Sequence, residues 1–193
     1  DDHTKEVFQE SVDDINALLK IINPKYKLEL NYNPGLFDNL YAINVKQKSL
    51  DAETLGTCAP GFIMPTVNGT GRYVSNVALD IEKMKADPFN PDAVLKNTFI
   101  HEVAGHGLFA LGDAYKIDGF AADTVMQSSG KVDSPGFYPL DIKTAIVKMT
   151  KDADSKKLDE AVKEYYNSTE YYIKKLDDAK YFKENVYDYA RKS

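Results

Sequence analysis

Tryptophan is absent from the 193 residues, cysteine occurs once and histidine three times. One cysteine, Cys58, excludes an internal disulfide framework and reads as a small buried hydrophobe rather than a switch thiol. Arginine is confined to Arg72 and Arg191, and the net charge is -6. That balance argues against a nucleic-acid partner, which calls for a basic face with arginine forks. No apolar run approaches the roughly 18 residues that would span a bilayer. The chain starts Asp1-Asp2-His3 with neither an initiator methionine nor a signal-like apolar stretch. It therefore reads as a processed chain from which a targeting segment or pro-region has been removed.

What is present is enough apolar side chain, 43%, to build a real core in one domain. Val7, Phe8, Val12, Ile15, Leu18, Leu19 and Ile22 recur at helical spacing, and Pro24 closes that helix. Alternation predicts strands over Tyr26–Tyr32 and Leu40–Val45, with Asn33-Pro34-Gly35 as a turn. Ser49–Ala59 has no period and reads as a loop. Phe62–Val67 and Arg72–Leu79 flank Asn68-Gly69-Thr70-Gly71, the pattern of a hairpin. Pro91–Leu111 is the most apolar helical candidate, with Asn90 as N-cap and Gly112 as stop. Asp113–Tyr138 is irregular, and Pro139 opens a further helix bearing Ile142, Ala145, Ile146 and Met149. Residues 151–193 read as one or two amphipathic helices, with Leu158, Ala161, Val162 and Tyr165 inward. Their ten acidic and ten basic residues suit a solvated face, and their tyrosines suit packing between helices.

Two of the three histidines, His101 and His106, stand in His101-Glu-Val-Ala-Gly-His106-Gly-Leu-Phe-Ala-Leu-Gly-Asp113. Neighbouring histidines on a helix face suit a metal when they are four apart, but these are five apart. In a straight α-helix a spacing of five puts side chains roughly 140° apart. A single π-type bulge absorbs the extra residue and returns His106 beneath His101. Gly105 lies where the backbone needs that freedom. Gly105 and Gly107 each cost about 1 kcal/mol in a helix interior, so close approach of a strand or of metal-site backbone is expected there. Hydrolytic zinc takes three protein ligands, leaves one position open for water, and needs a carboxylate to accept a proton. His101 and His106 supply two ligands and Glu102 is placed as general base. Asp113, just past the glycine stop, is the candidate third ligand, with Asp118 and Asp123 as weaker ones. An unbulged helix would instead pair Glu102 with His106.

This run resembles the signature of the IgA-peptidase-type zinc metallopeptidases, of the metzincin-like group, in a variant with one residue added between the histidines. The His106-to-Asp113 spacing fits that family; Ala114 stands where it carries Glu, and Tyr115 keeps its Tyr. Asn39–Val45 is similar to the family's N-terminal strand. Thr124-Val-Met126-Gln-Ser-Ser resembles the methionine turn beneath the metal, and Phe137–Ile146 the helix entry after it. The likeness runs in order over residues 39–150. It implies an α/β (α+β) fold: a twisted mixed sheet above, an active-site helix crossing it, and a helical C-terminal part. On this reading residues 1–150 form the catalytic domain, and residues 151–193 a helical extension packed on it.

The implied chemistry is peptide-bond hydrolysis. One zinc ion polarises the water and the scissile carbonyl, Glu102 shuttles the proton, and Tyr115 or Tyr138 adds a hydrogen bond to the oxyanion. Met126 supports the site from below. Strand Arg72–Leu79 is expected at a sheet edge, where a peptide could add to it. The expected partner is a peptide or protein substrate, with no nucleic acid and no membrane span, and the expected location is secreted, cell-surface or periplasmic. The rival readings are a catalytically silent binding module of the same fold and a small-molecule metallohydrolase.

Overall fold

The computed structural model describes residues 1–29, 35–37, 41–65, 71–113, 124–127 and 136–169. Helix α1 (Asp2–Ile22) starts where Asp1 accepts the Thr4 N–H at 2.9 Å, and buries Val7, Phe8, Val12, Ile15, Leu18 and Leu19. That is the stripe expected from the sequence. Asn16 then clasps β1 (Leu28–Glu29), its side chain bonding both the N–H and the carbonyl of Leu28.

Strands β2 (Gly35–Phe37), β3 (Tyr41–Gln47), β4 (Gly56–Pro65) and β5 (Gly71–Leu79) complete a mixed sheet in the order β1-β2-β3-β5-β4. Only β3 and β5 run parallel; the other pairs are antiparallel. Two expectations are corrected here. Gly56–Ala59 belongs to a strand rather than a loop, because pairing with Ala59↔Asn76 through Gly56↔Leu79 of β5 gives its backbone a ladder that its short side chains do not announce. The register slips between Ala59 and Phe62, which breaks any alternation across the whole strand. And β5 is not an edge: it lies between β3 and β4, and β4 ends the order. Residues 30–32 of the first expected strand, residues 66–67 of the expected strand Phe62–Val67 and residues 68–70 of the expected hairpin turn lie outside the described residues.

Between β3 and β4 the chain is pinned by a polar clasp. Asp80, buried, caps the short helix α2 (Ile81–Lys85) and accepts the Leu50 N–H at 2.9 Å. The Lys83 ammonium donates to the carbonyls of Leu50, Asp51 and Thr54. The periodicity singled out neither α2 nor this clasp, which delivers Gly56 to the end of β5.

Helix α3 (Pro91–Phe99) opens as expected, with Asn90 accepting the Ala93 N–H at 3.1 Å and Pro91 in the first turn. It does not continue as an α-helix with one bulge: Ile100–Leu108 forms a full π-helix of nine residues. The π-helix packs on β3, β4 and β5 and is backed by α1. Its end is also not where the glycine suggested. Ala110 takes the left-handed conformation, φ 50°, while Gly112 has ordinary φ. The Leu111 N–H reaches back six residues to the Gly105 carbonyl at 2.8 Å, one residue further than an α-helical cap, because each π turn holds more residues.

Helix α4 (Pro139–Thr150) and helix α5 (Ser155–Ser168) close the other side, α5 lying on both α4 and α1. Leu158, Ala161, Val162, Tyr165 and Tyr166 are buried. Tyr165 stacks edge-on against Phe137, and Tyr166 donates its hydroxyl to the Phe137 carbonyl at 2.8 Å. These two tyrosines are packing residues. The remaining tail tyrosines, with Leu176, Ala179 and Val186, lie outside the described residues. Among the described residues no helix is long and apolar enough to cross a membrane.

The core runs from α1 through α3 and the π-helix to α4 and α5. Phe99, 1% exposed, stacks at 4.8 Å on Phe8 where α3 meets α1. Phe99→Ala should therefore cost about 3–5 kcal/mol in urea unfolding. A loss under about 1 kcal/mol would mean that this contact does not anchor α1.

Candidate metal centre

The π-helix decides which side chains meet. Its turn closes at five residues, so His101 and His106 come to lie one above the other, ring centroids 4.8 Å apart. The Phe109 N–H to Ala104 carbonyl bond, 2.9 Å, shows the five-residue closure directly. The alternative pairing of Glu102 with His106 requires an unbulged α-helix and is not formed.

Each imidazole is held by its rear nitrogen. His101 Nδ1–H donates to the Val125 carbonyl at 2.8 Å, and His106 Nδ1–H donates to the Leu111 carbonyl at 2.7 Å. A carbonyl only accepts, so both Nδ1 atoms carry the proton and both Nε2 atoms present lone pairs when neutral. The two Nε2 atoms face the same oxygen, Asp113 Oδ1, each at 3.1 Å. His101, His106 and Asp113 are thus brought together with their donor atoms within 4.8 Å, a group that could hold a metal ion.

The donor set is its own test of fit. Two neutral lone pairs pointed at one carboxylate oxygen repel; either both rings gain a proton or a cation sits among them. Nitrogen and oxygen donors about 2.0–2.1 Å from a tetrahedral zinc lie about 3.3 Å apart, close to the 3.1 Å between each Nε2 and Asp113 Oδ1, within a donor set that spans up to 4.8 Å. Rear nitrogens bonded to backbone carbonyls are the usual outer support of metal-ligating histidines. Without a cation the cluster favours charge on His101. Burial opposes that charge, but Asp113, the Val125 carbonyl and Glu102 outweigh it and raise the pKa. The His101 hydrogen bond in turn lowers the pKa of Asp113, against partial burial.

Glu102, 5% exposed, lies beside this cluster, its Oε1 at 3.9 Å from His101 Nε2. Its Oε2 is buried with no hydrogen-bond partner among the described residues. Burial raises its pKa, and the histidines only partly offset that. The packing that aims it comes from β4. A Cβ on Gly56 would sit 2.7 Å from Glu102 Cγ and 3.0 Å from Oε1, so any larger residue there would have to push Glu102 aside. Gly56 carried no sequence signal beyond being a glycine in an aperiodic stretch. Cys58, two residues on, is half-buried and has its thiol pushed up to about 11 by burial and by Glu102, which suits an inert packing thiol.

Both helix glycines have the close neighbours expected of them. A Cβ on Gly105 would meet Met126 Sδ at 2.2 Å, and one on Gly107 would meet Ile43 Cδ1 of β3 at 3.4 Å and the Glu102 carbonyl at 3.3 Å. Met126 is fully buried directly under the π-helix, in the turn that also carries Val125. Asp141 of α4 holds that turn by accepting the Thr124 hydroxyl and the Val125 N–H; sequence reasoning missed it, because a helix N-terminal aspartate looks like an ordinary cap. Tyr138 is half-buried at the head of α4, where its N–H donates to Asp141 at 2.8 Å and its phenol adds to the rise in Tyr166's pKa, after burial and Asp141. Those contacts turn toward α4 and α5. Tyr115, Asp118 and Asp123 lie outside the described residues. Comparison with protein-family models, curated proteins and solved structures found no match to this chain.

The contact of Gly105 with Met126 makes a measurable coupling. Gly105→Ala should destabilise the chain by about 1–3 kcal/mol through overpacking. In a Met126→Ala background most of that cost should vanish, read as a double-mutant cycle in urea. Equal costs in both backgrounds would show that Met126 does not abut the helix.

Proposed function

We propose that this chain is a zinc-dependent metallopeptidase of metzincin-like architecture, with His101, His106 and Asp113 as metal ligands and Glu102 as general base. One observation carries the proposal: two imidazoles locked by their Nδ1–H groups aim both Nε2 atoms at Asp113 Oδ1, beside a buried carboxylate with an unpartnered oxygen. The order of motif, methionine turn and helix entry along residues 39–150 adds support from the sequence. A zinc ion bound there would supply the Lewis acidity that makes water nucleophilic near neutral pH and polarises a carbonyl.

The chain's own residues do the rest. Glu102 Oε2 is free to accept a proton from water and to return it to the leaving amine; burial raises its affinity for that proton. Gly56 leaves the space that the Glu102 side chain occupies, and Met126 closes the floor. The site borders β4, the strand at the end of the sheet order, where an extended peptide could add as a further strand. That favours a peptide or protein substrate over a small molecule. A secreted, surface or periplasmic location is proposed on the family resemblance alone.

Elemental mass spectrometry on protein purified without added metal should find about one zinc per chain, lost in His106→Ala. Glu102→Gln should keep the zinc and lower kcat/KM on a peptide library by about 10²–10⁴-fold. Wild type that holds zinc and cleaves no peptide would sink the peptidase and leave a silent binding module of the same fold. Gly56→Ala should also keep the zinc but lower kcat by on the order of 10²-fold, as expected when a catalytic group is displaced by about an ångström. Unchanged turnover would mean that β4 does not aim Glu102.

A further inference from the structure

Helix α4 reaches the candidate metal centre at two points without supplying a ligand. Near its start the Asp141 carboxylate, 1% exposed, accepts the Thr124 hydroxyl, the Val125 N–H at 2.9 Å and the Tyr138 N–H at 2.8 Å. The Thr124 oxygen accepts the Met126 N–H at 3.0 Å. Together these bonds fix the Val125 peptide, whose carbonyl takes the Nδ1–H of His101. Two turns later Lys148 Nζ donates to the Ala110 carbonyl at 2.6 Å. Ala110 is the left-handed residue that ends the π-helix, and the next carbonyl, Leu111, takes the Nδ1–H of His106.

The two residues are seven apart, so they share a face of α4. A carboxylate this buried is costly unless hydrogen-bonded, and Asp141 directs bonds from both of its oxygens to the turn that carries Val125. The Lys148 ammonium is drawn partly out of water to reach one carbonyl. Helix packing alone requires neither contact.

We propose that α4 orients both imidazoles from behind: Asp141 sets His101 by fixing the turn whose Val125 carbonyl takes its Nδ1–H, and Lys148 sets His106 by holding the Ala110 carbonyl, one residue before the Leu111 carbonyl that takes its Nδ1–H. Both are positioning residues. The proposal rests on reading His101, His106 and Asp113 as the metal centre, and extends that centre to side chains that never touch the ion.

The test uses the full-length ¹⁵N-labelled chain without added metal. NMR correlates each ring's Nδ1 with its slowly exchanging proton. Asp141→Asn should lose the His101 signal and keep that of His106, and Lys148→Met should do the reverse. Zinc affinity, measured by competition with a chromophoric chelator, should weaken about 10–100-fold in each variant. Lys148→Arg keeps a donor and should restore most of both readouts. Signals unchanged in both variants, or lost together in each, would overturn the proposal, since a general loosening does not discriminate between rings. If Asp141→Asn does not fold, Lys148→Met decides alone, because methionine keeps the stem of a half-buried side chain. A wild type that shows the ring-by-ring pattern but binds no zinc would uphold the positioning role and remove the metal reading.

Discussion

Two imidazole Nε2 atoms converge on one carboxylate oxygen, and the order of the site depends on holding that meeting in place. Each rear N–H is tied to a carbonyl from a different segment, Val125 for His101 and Leu111 for His106. The first carbonyl lies in the turn under the helix, the second just past the helix end. The centre is therefore only as ordered as those two turns, and both lean on α4.

The π-helix is the second half of the same constraint. A spacing of five between His101 and His106 demands a turn that closes at five, which an α-helix lacks. Such a helix is intrinsically poor and here includes two glycines, each about 1 kcal/mol worse than alanine. Tertiary contact offsets the cost. Met126 fills the space beneath Gly105, Ile43 approaches Gly107, and the Ser75 hydroxyl donates to the Gly107 carbonyl. The sheet and the Thr124–Gln127 turn grip the segment from two sides, and Val103, Ala104 and Ile100 are buried between them. Glu102 benefits from the same grip: β4 presses on it at Gly56 and leaves one oxygen bare.

Much of this was legible in the residues. The stripe from Val7 to Leu19, the Asn90-Pro91 helix start, the inward face of α5 and the convergence of His101 with His106 all follow from local periodicity or spacing. The extent of the π-helix did not: one extra residue calls for one bulge, whereas nine residues adopt the wider turn once the flanking contacts favour it. The stop also moved, from Gly112 to Ala110, where the peptide that follows the left-handed alanine is held at both its carbonyl, by Lys148, and its N–H, by the Gly105 carbonyl. The first half of strand β4 was hidden because Gly56-Thr57-Cys58-Ala59 has no alternation to detect.

The sequence by itself determined the chemistry on offer: which side chains could bind a metal, which carboxylate stood beside them, and that a regular α-helix could not bring both histidines together. Those are properties of spacing and residue type along one segment. Tertiary structure alone decided how the centre is aimed. Gly56, Asp141 and Lys148 act on Glu102, His101 and His106 from far along the chain. No local pattern marks a glycine as making room for a distant carboxylate, or an aspartate and a lysine as fixing the two turns whose carbonyls orient the rings. Those roles arise only when separate elements pack and their backbone groups need partners.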